Sequence, residues 1–338
     1  MSAVRKWFIL LPIALVAAFL LSLCIGSVSI PLRQVIAILL GHETENYSWQ
    51  YIVLQSRLPQ ALTALVCGAA LAETGLLLQT TFHNALAGPG IFGISGGAGL
   101  GAALVMLALG GTLQISEFTF TGYTAILIGA LAGAIAVMLL ILFLARYVGR
   151  SVMLLIIGIM ISYLTSSFIS LLNFSATEDG VKSYMIWGMG NFSGVSLSMV
   201  PLFALPCLVL FAASAFLVKP LNLLLLGSRY AQNLGCNVKW VRNTVILLAS
   251  LLTALCTAFC GPITFIGLAV PHLARMLLST DNHKYVLPST MLLGAFVTLL
   301  CNMACYLPGD GEMLPLNVIT PLIGAPVVIY VIIKNNFK

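Results

Sequence analysis

Long apolar runs, broken only by short polar or Gly/Pro punctuation, recur from end to end of this 338-residue chain. Such a pattern has few physical solutions, because a helix of about 20 apolar residues matches the bilayer core and satisfies its own backbone polar groups. Ten runs fit that description: 7–26, 57–80, 93–110, 122–145, 151–172, 197–218, 241–260, 263–278, 285–307 and 315–334. The segment 263–278 is the shortest and carries Pro271 and His272. Only 7% of the residues are charged, against about 25% in ordinary soluble domains. A soluble fold is excluded, and the spans leave no room for a separate soluble catalytic domain. The sequence predicts a single all-α transmembrane domain over 1–338, with ten spans and both termini on one side.

Charge placement orients the bundle. With the N-terminus in the cytoplasm, the inner side receives Arg5, Lys6, Arg146, Arg150, Lys219, Arg229, Lys239, Arg242, Arg275, Lys284, Lys334 and Lys338, twelve of the fifteen basic residues. The outer side keeps Arg33, Arg57 and Lys182, and seven of the nine acids: Glu43, Glu45, Glu117, Glu178, Asp179, Asp310 and Glu312. Arg5-Lys6 followed by an apolar stretch resembles a secretion signal, but 7–26 is too long for an h-region and Leu23 is a poor residue before a lipidated Cys24. It reads as the first span.

Two connections are longer than the rest. On the outer side, Pro31 to Leu40 is amphipathic and suited to the membrane interface. On the inner side, the segment 219–241 carries Lys219, Arg229 and Lys239, with small residues at Gly227, Ala231 and Gly235. Their spacing of four predicts one smooth helix face that another protein can approach. Within the spans, Gly93, Gly97 and Gly101, and Gly129 with Gly133, repeat at four-residue intervals. That spacing lets helix backbones touch in lipid.

Several chemistries are absent. None of the seven lysines follows a glycine, so no phosphate-binding loop of the Gly-Lys-Ser/Thr type exists and any ATP-driven work requires a partner. His42-Glu43 is followed by Asn46 where a zinc-binding pair needs histidine. The formal net charge of +6 is scattered, so there is no basic patch for nucleic acid. The eight cysteines lie almost entirely in apolar runs, where they behave as small hydrophobes.

Three features keep other functions in view. Gly93-Ile-Ser95-Gly-Gly97 has the spacing of a serine nucleophile elbow, and His272 falls toward the same membrane side; together they sketch an intramembrane protease. Cys256/Cys260 and Cys301/Cys305 are two i, i+4 pairs that would offer four thiolates to a soft metal if their faces met. Glu73 is the only acid inside a span, at a cost of about 2.5–3.5 kcal/mol on insertion scales. It is a candidate pathway residue, and the proton site of a rival, ion-coupled transporter.

The order of several motifs resembles one family. Arg57-Leu-Pro-Gln60, Gly68-Ala-Ala-Leu-Ala and Gly75-Leu-Leu-Leu-Gln79 lead to Asn84-Ala-Leu-Ala-Gly-Pro-Gly90 and Gly93-Ile-Ser-Gly-Gly-Ala98. Asn222 to Gly235, then the block Gly261-Pro-Ile-Thr-Phe-Ile-Gly-Leu-Ala-Val-Pro-His-Leu-Ala-Arg275, and finally Leu314-Pro315 and Thr320-Pro-Leu-Ile-Gly-Ala-Pro326 complete the set. Together they resemble the FecCD permeases, the membrane subunits of importers for iron-siderophores, haem and cobalamin.

The resemblance implies a ten-helix subunit of a bacterial inner-membrane importer, working as a homodimer with the substrate path along the two-fold axis. Two cytoplasmic ATPase subunits would bind ATP and magnesium, none of it on this chain, and a periplasmic or surface binding protein would deliver the ligand. It further implies ATPase coupling through Gly227, Ala231, Leu234 and Gly235, a cytoplasmic gate at Asn84, Leu86 and Ser151, and docking of the binding protein on Arg57. This chain departs from the family pattern at Gln60, Glu73, Ala85, Ser228, Gln232, Tyr306 and Asn317.

Overall fold

The computed structural model describes residues 2–42, 46–115, 118–148, 151–307 and 313–336. Glu43, Glu45, Glu117, Arg150, Asp310, Glu312 and Lys338, which entered the charge assignment, lie outside these residues. The chain forms two compact units, one of residues 1–73, 191–211 and 265–338 and one of residues 74–190 and 212–264.

In the first unit, α1 (Ser2–Cys24) packs against α14 (His283–Ala304), which also contacts α13 (Ile266–Leu278) and α15 (Leu316–Asn336). The amphipathic stretch forms α2 (Leu32–Leu39), with Val35 and Ile38 buried. A short helix α3 (Tyr47–Tyr51) runs through a π-helical turn, Ile52–Arg57, into α4 (Leu58–Phe82). Asn46 starts α3, its side chain accepting the Ser48 N–H. Gly68 of α4 faces α14, where a Cβ would come within 2.4 Å of the Gly294 carbonyl oxygen. The two backbones therefore touch.

The second unit is built on the glycine stripe. A Cβ on Gly97 of α5 (Ile94–Ala103) would lie 2.6 Å from the Gly133 carbonyl, and one on Gly101 would lie 1.9 Å from the Gly129 carbonyl of α6 (Gly122–Leu144). The close approach predicted from spacing is what these helices do. Around them pack α7 (Ser151–Ser175) and α12 (Val238–Cys260).

Six described helices are long and apolar enough to cross a membrane, or seven if α9 (Val200–Ala215) and α10 (Val218–Leu224), bent by 55°, form one broken span. Pro220 explains the break, since it has no N–H to donate to residue 216 and its ring collides with that carbonyl. Shorter apolar helices cover Ile94–Ala108, Ile266–Leu278 and Leu316–Tyr330.

Two elements went unread in the sequence. One is a hairpin of β1 (Thr112–Ile115) and β2 (Phe118–Thr121), paired antiparallel with Thr112 opposite Thr121. The other is α8 (Glu178–Gly188), capped by Thr177 accepting the Gly180 N–H and with Glu178 and Asp179 in its first turn. Acidic side chains there suit the helix dipole.

Candidate gate turn and coupling segment

The helix α4 ends in a defined turn. Asn84 N–H donates to the Gln79 carbonyl at 3.2 Å and His83 N–H to the Thr80 carbonyl at 3.4 Å, the paired bonds of a Schellman terminus. Asn84 then folds its side chain over the next residues, Oδ1 accepting the Leu86 N–H at 2.9 Å, while Ala87 N–H returns to the Asn84 carbonyl at 3.0 Å. Asn84 thus holds the turn in shape, and Leu86 is left 47% exposed at its tip. Ser151 opens α7; its side chain lies outside the described residues.

His83 makes the long reach from this turn. Its Nε2 stands 2.8 Å from the Leu224 carbonyl at the end of α10, and the same oxygen accepts the Gly227 N–H at 2.9 Å. Nothing in the sequence singled out His83, because its partner is 141 positions away.

From Gly227 the chain enters α11 (Ser228–Asn233). Here the structure corrects the predicted smooth face. The helix holds only six residues, Gly227 (φ 97°) and Gly235 (φ 84°) lie outside it in conformations that favour glycine, and Ala231 is fully buried. The small residues therefore shape the turns and pack inward. What the segment offers outward is Leu226, Tyr230, Leu234 and Trp240, each more than half exposed, among Arg229, Gln232 and Lys239.

The FecCD transport family matches residues 14–334 of this chain. The chain belongs to that family. The molybdate import permease MolB of Haemophilus influenzae is 36% identical over 321 residues, covering 94% of this chain and 92% of the relative. The vitamin B12 import permease BtuC of Vibrio parahaemolyticus is 34% identical, covering 85% and 84%. A solved metal-chelate type ABC transporter in an inward-facing conformation superposes with a TM-score of 0.82 at 32% identity, over 98% of this chain and 99% of that one. The protein is a multi-pass ABC importer permease that works with a substrate-binding protein and a separate ATPase, and it is not itself an enzyme.

As a FecCD permease the chain departs from expectation at Arg57. Arg57 is only 6% exposed. Nη1 donates to the carbonyls of Leu23 and Cys24, both at 2.8 Å, and Nη2 to that of Val28. Leu23 and Cys24 end α1, so Arg57 closes the helix by satisfying carbonyls that have no intrahelical donor. A charge so enclosed is not available to a docking protein, and the outer-rim role is withdrawn. Gln60 and Tyr306 also bond to each other, Tyr306 Oη donating to Gln60 Oε1 at 2.9 Å.

Glu73 has no exposed surface. It lies in α4. A group packed inside the chain lines no open path in this conformation. Ser95 shares a 3.3 Å hydrogen bond with the Thr257 hydroxyl, which is no general base, and His272 is a buried residue of α13. The protease reading has nothing to rest on in this family. No cluster of three or more His, Cys, Asp or Glu side chains fit to hold a metal occurs among the described residues. Cys305 instead directs its thiol to the Cys301 carbonyl at 3.1 Å.

A second buried arginine was also missed as a structural residue. Arg242, assigned from the sequence as an inner charge, is 8% exposed and donates to the carbonyls of Ala145 at 3.0 Å and Val148 at 3.4 Å, just past the end of α6.

Proposed function

We propose that this chain is one of two identical ten-span subunits in a bacterial inner-membrane importer, with both termini cytoplasmic. It passes a bulky metal chelate of the cobalamin, iron-siderophore or haem class into the cell by alternating access. Two ATPase subunits, which bind ATP and magnesium, seat on the segment 219–241. The Asn84–Gly90 turn, with Leu86 at its tip, and the start of α7 at Ser151 form the inner gate.

The observation that carries this reading is the segment 219–241. Four large apolar or aromatic side chains stand exposed on a short helix and its flanks, inside a basic stretch. Exposed apolar side chains rimmed by polar ones mark a protein contact site, and a chain without a phosphate loop needs such a contact. A bulky, weakly polar cargo also fits a chain that offers no fixed set of ion ligands. Glu73, enclosed as it is, gives an ion-coupled mechanism no entry point.

The test is uptake into liposomes holding the chain with its ATPase, supplied with the cognate binding protein loaded with cobalamin, a ferric siderophore, haem or molybdate in turn. Accumulation of one of the chelates, dependent on ATP, is expected. The molybdate arm is included because MolB carries that cargo's name, and import of molybdate alone would replace the chelate assignment. Uphill accumulation by the chain without an ATPase would remove the reading altogether.

A further inference from the structure

A positive φ is uncommon outside glycine, although histidine adopts it more readily than most side chains, and His83 has φ 49°. The terminus of α4 demands it, because the residue after the cap of a Schellman motif must be left-handed. Glycine meets that demand without strain. A histidine in the place of glycine is a local conflict, and such conflicts persist where something else over-determines the conformation. Here that something is the bond from the imidazole to the Leu224 carbonyl. A carbonyl oxygen only accepts, so the ring donates through Nε2.

The position of the acceptor gives the bond its meaning. Leu224 is the last residue of α10, and its oxygen also receives the N–H of Gly227, the residue that turns the chain into α11. One carbonyl therefore joins the terminus of α4, the end of α10 and the start of α11. The residue directly after His83 is Asn84, whose side chain shapes the turn that carries Leu86.

Resting on the reading of 219–241 as the ATPase seat and of Asn84–Gly90 as the inner gate, we propose that His83 is a positioning residue, a strut that carries movement of the coupling segment to the gate turn. When an ATPase shifts α11, the end of α10 shifts with it, and the imidazole passes the displacement to the end of α4. Without the strut that direct link is gone, and ATP is hydrolysed without the gate following. The αL strain at position 83 is what the protein tolerates to keep a side chain there at all.

Two variants separate the strut from the fold. His83→Gly deletes the bond and relieves the strain, so the chain folds at least as well as the parent. His83→Gln places an amide nitrogen at the same number of bonds from Cα as Nε2 and restores the donor. In the purified full chain in nanodiscs, hydrogen exchange over residues 225–234 is expected to quicken about fivefold in His83→Gly. It should return toward the parent rate in His83→Gln, with residues 252–258 of α12 unchanged as an internal control. In the assembled importer, ATP consumed per molecule of cargo should rise about tenfold in His83→Gly and fall back in His83→Gln. Unchanged exchange in His83→Gly would overturn the strut whatever the importer does. Faster exchange with an unchanged ratio of ATP to cargo would overturn the transmission. If the parent assembly imports nothing with its ATPase, the proposed function fails, and the exchange measurement still decides whether the bond holds the segment.

Discussion

Two buried arginines, one in each compact unit, perform the same chemistry with unequal completeness. Arg57 reaches back from the π-helical turn before α4 and donates to three carbonyls at and beyond the end of α1. Arg242, in the first turns of α12, donates to two carbonyls past the end of α6, one at 3.4 Å. Its Nε is buried without a hydrogen-bond partner among the described residues. In both cases a cation meets the negative end of a helix dipole where water is scarce. The difference is in how many of the five guanidinium donors find acceptors. It teaches that a lone arginine between apolar runs can be an internal fastener, and that its charge then says little about docking or about sidedness.

The comparison can be broken most directly at Arg57. Replacing it with leucine strands the carbonyls of Leu23 and Val28 and leaves that of Cys24 with only the Ile30 N–H, and at about 1.5–3 kcal/mol for each hydrogen bond to a charged group this substitution should do the greatest damage. Expected is a large drop in the thermal unfolding midpoint in detergent, with the surviving folded fraction binding the substrate-binding protein as the parent does. Parental stability with lost binding would restore the docking role. Arg242→Leu should cost less, about 1–3 kcal/mol, because fewer bonds are lost and an unsatisfied donor goes with them. An equal or larger fall in midpoint than for Arg57→Leu would refute the ranking.

A finer probe is Gly26→Ala. The new methyl would sit 2.8 Å from Arg57 Nη2, forcing the guanidinium off its acceptors by a few tenths of an ångström. A loss of about 1 kcal/mol is expected, and none at all if Arg57→Leu is already present, as a double-mutant cycle would show. The smallest effect is expected from Glu73→Gln, which keeps shape and burial. ATP-dependent uptake should stay within about twofold of the parent, and its abolition would return Glu73 to the pathway.

Hydropathy located the helices because membrane burial acts on every residue of a span, so the signal accumulates along the chain. The contact of Gly97 and Gly101 with Gly133 and Gly129 was legible for a similar reason: a missing side chain repeated every fourth residue has a single geometric use. Arg57 was misread because its acceptors are backbone groups more than 25 positions away, and carbonyls carry no sequence signature. The spacing of Gly227, Ala231 and Gly235 suggested a face that the short α11 does not have, since two of the three residues are turn formers outside it. The hairpin is foreshadowed by the alternation in Thr112-Leu-Gln-Ile and Phe118-Thr-Phe-Thr, a period of two that hydropathy averaged over a span hides. The Thr177 cap and its acids announced α8 in the same way.

The carbonyl-to-glycine contacts between α5 and α6 set a limit on how the protein can rearrange. Helices meshed at the level of their main chains have no compressible layer of side chains between them, so neither can slide or roll against the other without atomic collision. The pair must travel as a single stiff rod. Whatever flexing accompanies transport has to be taken up at joints such as the break before Pro220, where the chain has already given up its regular ladder of bonds.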